Sequence, residues 1–287
     1  LASVSGAADV QRIPLPSGGE ISQASVFVWR GEEGVGRLGP RSPAKTKGVL
    51  VLCPGQNGSS EEFLREKIWQ EFGEREGFAL VGFQFVSSDE DLKNGRGYFV
   101  ASRGSGKLLE EGLAKAGLAD LPVYLYGFSG GAHFAMSFAA WSPERVAAFC
   151  AYSFAWWKAP PDELKSPALI VCGQEDGTRY GASLAYFQEG RRLGKPWAWV
   201  SLEGKTHEPS AELDEFVRGY FSKGVRHNGA ERHSQAERLP RRGEGEAESK
   251  LHQSSRREDE GGKGAVAVDN MTEKIVNGDR ANDVGVS

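Results

Sequence analysis

The sequence predicts an α/β protein built on a doubly wound, mostly parallel sheet. Up to about Lys223, short apolar runs rich in β-branched and aromatic residues alternate with stretches of helical periodicity. Apolar runs of this kind are typical of parallel strands that are buried on both faces. Alternating strands and helices favour right-handed crossovers, which place helices on both sides of one sheet.

Eight strands are expected in this part of the chain. The first two flank a turn at Pro16–Gly19, so they are expected to pair as an N-terminal antiparallel hairpin. The other six are expected to run parallel to one another. The predicted strands are Val10–Leu15, Ala24–Trp29, Gly48–Cys53, Phe78–Phe83, Val123–Tyr126, Val146–Tyr152, Ala168–Cys172 and Trp197–Leu202.

Five helices are expected between and after these strands. The first is preceded by Ser59 and Ser60, residue types that cap helices, and has acidic residues in its first turn. Another is expected to stop before Ser142-Pro143. The predicted helices are Glu61–Glu76, Ser105–Ala116, Gly130–Ala140, Tyr180–Leu193 and Ala211–Phe221.

Composition divides the 287 residues into two parts. Residues 1–223 are predicted to form one folded domain. Residues 224–287 are rich in Arg, Glu, Gly and Ser and contain no aromatic residue. Such a segment buries too little apolar surface to offset its ordering entropy, so it is predicted to be a disordered charged tail. A tail that binds a partner is the alternative to a solvated one.

Charge and cysteine usage argue against several classes of protein. The net charge of −4 does not favour a nucleic-acid partner. The three cysteines, Cys53, Cys150 and Cys172, lie in predicted strands and are expected to be buried and free. No cysteine or histidine spacing indicates a zinc site, and no apolar run is long enough for a transmembrane helix. The start at Leu1 lacks signal-peptide features, but a removed signal would leave the same start, so the compartment is left open.

The strongest chemical signal is Gly127-Phe128-Ser129-Gly130-Gly131, which matches the nucleophile motif G-x-S-x-G. In a chain with 38 glycines the motif alone is weak. Its context strengthens it, because a predicted strand precedes it and a predicted helix follows it. Small neighbours suit the sharp turn that exposes such a serine. Ser129 is therefore the predicted nucleophile.

A serine nucleophile needs a base, and histidine is the usual one at neutral pH. His207 is the predicted base, because it lies in a polar loop between the last strand and the last helix. His133, on the helix behind the nucleophile, is expected to pack or cap instead. The other three histidines, His227, His233 and His252, fall in the predicted tail.

The base needs a carboxylate to orient it. The loop after the strand Ala168–Cys172 contains Glu175 and Asp176. Asp176 is the predicted acid, with Glu175 as the alternative. The resulting order along the chain is Ser, Asp, His, which is the order that accompanies this motif.

Acyl transfer also requires N–H donors for the developing oxyanion. The backbone N–H of Gly130, directly after the nucleophile, is one predicted donor. The other is expected in the loop Pro54–Gly58 after the third strand, with Gln56 as the predicted residue and Asn57 as the alternative.

These motifs make the chain resemble the α/β-hydrolase superfamily, and within it the esterase, dienelactone-hydrolase and polyhydroxybutyrate-depolymerase-like branch. The resemblance spans roughly Ile13–Phe221 and implies a Ser-Asp-His triad with no metal or organic cofactor. One departure is Pro54-Gly55, where many relatives carry His-Gly. Backbone N–H groups survive this change, whereas the substrate preference is left open by it.

The predicted function is hydrolysis of a small-molecule carboxylic ester through an acyl-enzyme. A serine peptidase that acts on small peptides and a non-catalytic, hydrolase-like binding protein are the alternatives. The aromatic residues Phe128, Trp156 and Trp157 are predicted to line the substrate pocket, with core or lid packing as the alternative role for the tryptophans. The natural substrate and the oligomeric state are left open.

Overall fold

One eight-stranded sheet forms the centre of the computed structural model, which describes residues 9–31 and 46–223. The described residues belong to one compact unit. The predicted tail, residues 224–287, lies outside them. The strands are β1 Gln11–Pro14, β2 Gln23–Trp29, β3 Gly48–Cys53, β4 Phe78–Val86, β5 Val123–Phe128, β6 Val146–Tyr152, β7 Ala168–Gly173 and β8 Trp197–Leu202.

The strand order in the sheet is β1-β2-β4-β3-β5-β6-β7-β8. Strand β2 pairs antiparallel with both β1 and β4, and all the other pairs are parallel. The predicted hairpin and mostly parallel sheet are thus confirmed. After β3 the chain turns to β4 and then crosses back to β5, so the order reverses between β3 and β5. Crevices that bind ligands form at such switch points, outside the carboxyl ends of the strands.

Helices cover both faces of the sheet. One apolar core contains side chains of α4, α5 and α6, and the other contains side chains of α1, α2 and α7. Nine of the twelve residues of α5 are buried, so the helix that follows Ser129 is fixed by packing on several sides. The helices are α1 Glu61–Arg65, α2 Lys67–Glu76, α3 Asp89–Lys93, α4 Ser105–Lys115, α5 Gly130–Trp141, α6 Thr178–Arg192 and α7 at 211–223.

The structure corrects the prediction of one continuous helix over Glu61–Glu76. The helix is broken at Glu66, which has extended backbone dihedrals and so ends α1 and precedes α2. Ser60 does not cap α1 with its side chain, because its Oγ instead donates to the Leu52 carbonyl at 2.5 Å. The Ser59 Oγ accepts from the Glu61 amide at 3.2 Å. Helix α3 and two single 3₁₀ turns were not predicted, since they are too short to show a periodic pattern.

The three cysteines are free and buried, as predicted. Among residues 9–31 and 46–223, no helix is long and apolar enough to cross a membrane. The same ranges contain no group of three or more metal-ligating side chains arranged to hold an ion.

Candidate active site

Ser129 lies on a sharp turn between β5 and α5, with φ 56° and ψ −116°. A positive φ is strained for a residue with a side chain and costs on the order of 1–3 kcal/mol. Its two glycine neighbours explain how this turn fits. A Cβ on Gly127 would overlap the carbonyl of Gly131, and a Cβ on Gly131 would overlap the carbonyl of Cys53. The motif therefore reflects backbone segments that are packed too closely for any side chain.

The structure brings Ser129, His207 and Asp176 together in a line. His207 Nε2 lies 2.9 Å from Ser129 Oγ, and His207 Nδ1 lies 2.9 Å from Asp176 Oδ2. Asp176 is buried, whereas the His207 side chain is 31% exposed. A buried carboxylate beside one ring nitrogen selects the tautomer that leaves the other nitrogen free to accept a proton from the serine.

Backbone hydrogen bonds hold the Asp176 loop against the His207 loop. The amide of Gln174 donates to the Leu202 carbonyl at 2.9 Å, and the amide of Glu175 donates to the Lys205 carbonyl at 2.9 Å. A Cβ on Gly173 would overlap that same Lys205 carbonyl, which shows how closely the loops approach. Glu175, the alternative acid, is exposed and contributes its backbone amide rather than its carboxylate.

Two aromatic side chains, Phe128 and Tyr152, help to position His207. The Phe128 ring lies 4.8 Å from the imidazole, centroid to centroid, and Tyr152 packs 4.9 Å from Phe128. The Tyr152 hydroxyl donates to the Glu208 carbonyl at 2.5 Å. This contact anchors the residue directly after His207, so the loop that carries the imidazole is tied to β6.

The loop after β3 approaches the turn that carries Ser129. A Cβ built on Gly130 would lie 2.8 Å from the Gln56 backbone nitrogen, so the two predicted oxyanion donors belong to residues in contact. The Gln56 amide has no hydrogen-bond partner among the described residues. The alternative donor, the Asn57 amide, already donates to the Tyr98 hydroxyl at 3.3 Å. Between these two candidates, Gln56 is therefore the one whose amide is free to donate.

Side chains from a distant segment set the shape of this loop. The Tyr98 hydroxyl donates a hydrogen bond to the Gly55 carbonyl at 3.1 Å and accepts one from the Asn57 amide. One side chain therefore links two backbone groups of this loop. The Asn57 side chain exchanges two hydrogen bonds of 3.0 Å with the backbone of Ser87. These contacts hold Asn57 at a φ of 53°. Burial raises the pKa of Tyr98 well above its usual value, so the hydroxyl stays a donor.

Sequence reasoning missed Tyr98 and Ser87, because no motif surrounds them. Their sequence separation from the loop is 43 residues for the contact with Gly55 and 30 for the contact with Asn57. A buried tyrosine and a serine near the end of β4 carry no signal of this role until the fold brings the two segments together.

His133 packs, as the sequence predicted, and its Nδ1 has no hydrogen-bond partner among the described residues. Its ring stacks on Trp156 with centroids 4.4 Å apart and lies 5.2 Å from Phe99. Its Nε2 accepts from the Ala155 amide at 3.3 Å. Burial, together with the charge of Arg179, lowers the pKa of His133 to about 3, so the ring is neutral at physiological pH.

The three predicted pocket residues have different surroundings. Phe128 lines a cavity of about 60 Å³ beside the site, and neither tryptophan is among the residues that line it. Trp156 stacks on His133, and Trp157 lies 5.5 Å from the ring of Tyr186. Both tryptophans pack against the core that contains α5, so a pocket role for them stays a prediction.

Comparison with solved structures identifies the fold. FphF, a fluorophosphonate-binding serine hydrolase of Staphylococcus aureus, is similar with a TM-score of 0.52 and 13% identity, over 76% of this chain and 99% of that one. A hyperthermophilic esterase of the archaeon Pyrobaculum calidifontis is similar with a TM-score of 0.54 and 15% identity, over 77% and 86%. An S-formylglutathione hydrolase of Staphylococcus aureus has a TM-score of 0.54 and 14% identity, over 78% and 100%.

No protein-family model matches the chain, and no curated protein matches it in sequence. The structural likenesses, all at low sequence identity, define the architecture. The chain has the α/β-hydrolase fold, as the sequence predicted.

Proposed function

We propose that this protein is a serine hydrolase that cleaves carboxylic esters through an acyl-enzyme formed on Ser129. The observation that carries the proposal is the pair of 2.9 Å contacts that link Ser129 to His207 and His207 to Asp176. The likeness to an esterase and to two other hydrolases of the same fold supports it. Fold alone does not fix chemistry, so the proposal depends on the site.

In the first half of the reaction, Ser129 Oγ attacks the ester carbonyl while its proton passes to His207 Nε2. Asp176 holds the imidazole and stabilises its cationic form. The carbonyl oxygen gains negative charge, which the N–H groups of Gln56 and Gly130 stabilise by donating hydrogen bonds to it. The C–O bond then breaks, and His207 returns the proton to the leaving alcohol.

In the second half, water replaces the alcohol. His207 takes a proton from the water while the water oxygen attacks the acyl carbon. The bond from the acyl carbon to Ser129 Oγ then breaks, His207 returns the proton to Ser129 Oγ, and the acid product departs. The N–H pair serves both tetrahedral intermediates. No redox step or additional reactant is required.

The proposal is tested by hydrolysis of short-chain p-nitrophenyl esters. Ser129→Ala is expected to lower kcat/KM by at least about a thousandfold, because the nucleophile is lost. Ser22→Ala, which removes an exposed serine hydroxyl, is the matched control and is expected to keep wild-type activity. Equal rates for wild type and Ser129→Ala would exclude the proposal, and no turnover by folded wild type would favour the non-catalytic alternative.

A further inference from the structure

The cavity beside the site has walls of unusual composition. Four of its nine lining residues are aromatic, and one, Asp214, carries a carboxylate. Its volume, about 60 Å³, is several times the space that one water needs. The aromatic residues are Phe63, Trp69, Tyr126 and Phe128.

Three of the residues that line the cavity are close in sequence to residues of the proposed machinery. Gly55 directly precedes the oxyanion donor Gln56, Phe128 directly precedes Ser129, and Pro209 lies two residues after His207. The Phe128 ring, which lines the cavity, also lies 4.8 Å from the His207 imidazole, centroid to centroid, so the cavity is next to the proposed triad. The leaving oxygen must lie near His207 Nε2 to receive its proton, and we assign the other substituent of the carbonyl, the acyl chain, to the cavity.

Asp214 is held at the cavity by a defined hydrogen bond. The Tyr126 hydroxyl donates to Asp214 Oδ1 at 2.6 Å. Glu66 and Arg218 are the other charged groups close to Asp214, so the three groups together carry a net negative charge. Burial raises the pKa of Asp214, whereas the Tyr126 hydrogen bond and the charge of Arg218 act in the opposite direction and favour the carboxylate.

One of the aromatic residues that line the cavity, Trp69, already contacts a cation outside the cavity lining. The Arg218 guanidinium lies 4.9 Å from the centroid of the Trp69 ring. Aromatic faces attract cations through the ring quadrupole, and sets of aromatic side chains are a known solution for binding alkylated ammonium groups. A nearby carboxylate adds Coulombic attraction, which is stronger in a partly desolvated recess than in water.

We propose that this cavity binds an alkylated ammonium group at the end of the substrate's acyl chain. The inference rests on the proposed esterase function and adds a substrate class to it: esters of acids that carry an organic cation. Phe63, 39% exposed, stands at the rim, and the carboxylate of Asp214 supplies the counter-charge.

The test uses two p-nitrophenyl esters that differ in one atom. In both, three methylenes separate the carbonyl from a bulky end, which is trimethylammonium in one ester and tert-butyl in the other. The ratio of kcat/KM for the cationic ester to that for the neutral ester is measured in wild type, in Asp214→Asn and in Glu215→Gln. Glu215 is the matched control, because it is the next residue on α7 but is exposed and does not line the cavity.

Asp214→Asn is expected to lower this ratio on the order of tenfold by removing the counter-charge. Glu215→Gln is expected to change it by less than about twofold, because solvent screens an exposed charge. A ratio in Asp214→Asn equal to that of wild type, or an equal fall in both variants, overturns the inference. Loss of all ester turnover in wild type would instead overturn the proposed function.

A second measurement needs no variant. Tetramethylammonium chloride is expected to inhibit wild-type hydrolysis of the neutral ester competitively, and sodium chloride at the same ionic strength is expected not to. Equal effects of the two salts contradict a cation site in the cavity, even if Asp214→Asn fails to fold.

Discussion

Two glycine-containing turns build the proposed site, and different interactions hold them. The nucleophile turn, residues 127–131, is fixed by backbone packing: its glycines touch each other and the Cys53 carbonyl. The oxyanion loop, residues 54–58, is held by hydrogen bonds from Tyr98 and from the Asn57 side chain. The first depends on which residue types occupy five adjacent positions, and the second depends on groups far away in sequence.

This difference explains why a motif marks the nucleophile turn in the sequence, whereas the oxyanion loop is predicted only from its position after the third strand. Where a turn has no room for side chains, glycines must occupy it, and these glycines are visible in the sequence. Where a loop depends on a hydroxyl from another segment, the sequence does not show the dependence until the fold brings the two segments together. The comparison also predicts that substitutions in the two turns fail in different ways: loss of folding in the first, and loss of rate in the second.

The largest effect is expected for Gly131→Ala in the nucleophile turn. The new Cβ would overlap the backbone of Cys53, which cannot move without distorting β3, so the free energy of unfolding is expected to fall by roughly 3 kcal/mol or more. Urea denaturation measures this change. Gly181→Ala is the matched control, because that helical glycine has open space around it and alanine favours helices. Comparable destabilisation by both substitutions would refute the packing explanation.

A smaller effect, mainly on rate, is expected for Tyr98→Phe in the oxyanion loop. Without the hydroxyl, the Gly55 carbonyl and the Asn57 amide lose their partner, and the Gln56 donor is held less firmly. Because this donor acts chiefly on the transition state, kcat is expected to fall on the order of tenfold while KM changes little. Tyr220→Phe on α7 is the control. A rise in KM with unchanged kcat would argue against a role in positioning the loop.

A pH-dependent effect, on stability rather than on rate, is expected at His133, which connects the two regions: it lies on α5 behind Ser129 and packs against Phe99, the neighbour of Tyr98. Burial lowers its pKa from 6.5 to about 3 in the folded state. An unfolded chain therefore binds a proton below about pH 6.5 that the folded one does not, so stability is complete above that pH and is lost as the pH falls toward 3.

When the pH is lowered from 7.5 to 5, the titration of His133 is expected to lower the free energy of unfolding of the wild type by on the order of 2 kcal/mol. His133→Gln, which keeps an acceptor for the Ala155 amide, is expected to lose less over the same interval. Urea denaturation at both pH values measures the difference. An identical pH dependence in wild type and variant would show that His133 is not the group responsible.

The sequence was sufficient for most of the fold and for the line of Ser129, Asp176 and His207. Those three residues each follow a strand that is visible as an apolar run, and the carboxyl ends of parallel strands meet at one edge. The break at Glu66 and the roles of Tyr98 and Ser87 were not visible. Nor was the cavity, because the contact between Tyr126 and Asp214 joins residues that are 88 positions apart.

The most direct test of the central claim is to find which atom reacts with a serine-directed probe. Wild-type protein is treated with a fluorophosphonate, digested, and mapped by mass spectrometry. One adduct per chain on the peptide that contains Ser129 is expected, and Ser129→Ala is expected to remain unlabelled. An adduct on another residue, or equal labelling of Ser129→Ala, would contradict the assignment of Ser129 as the nucleophile.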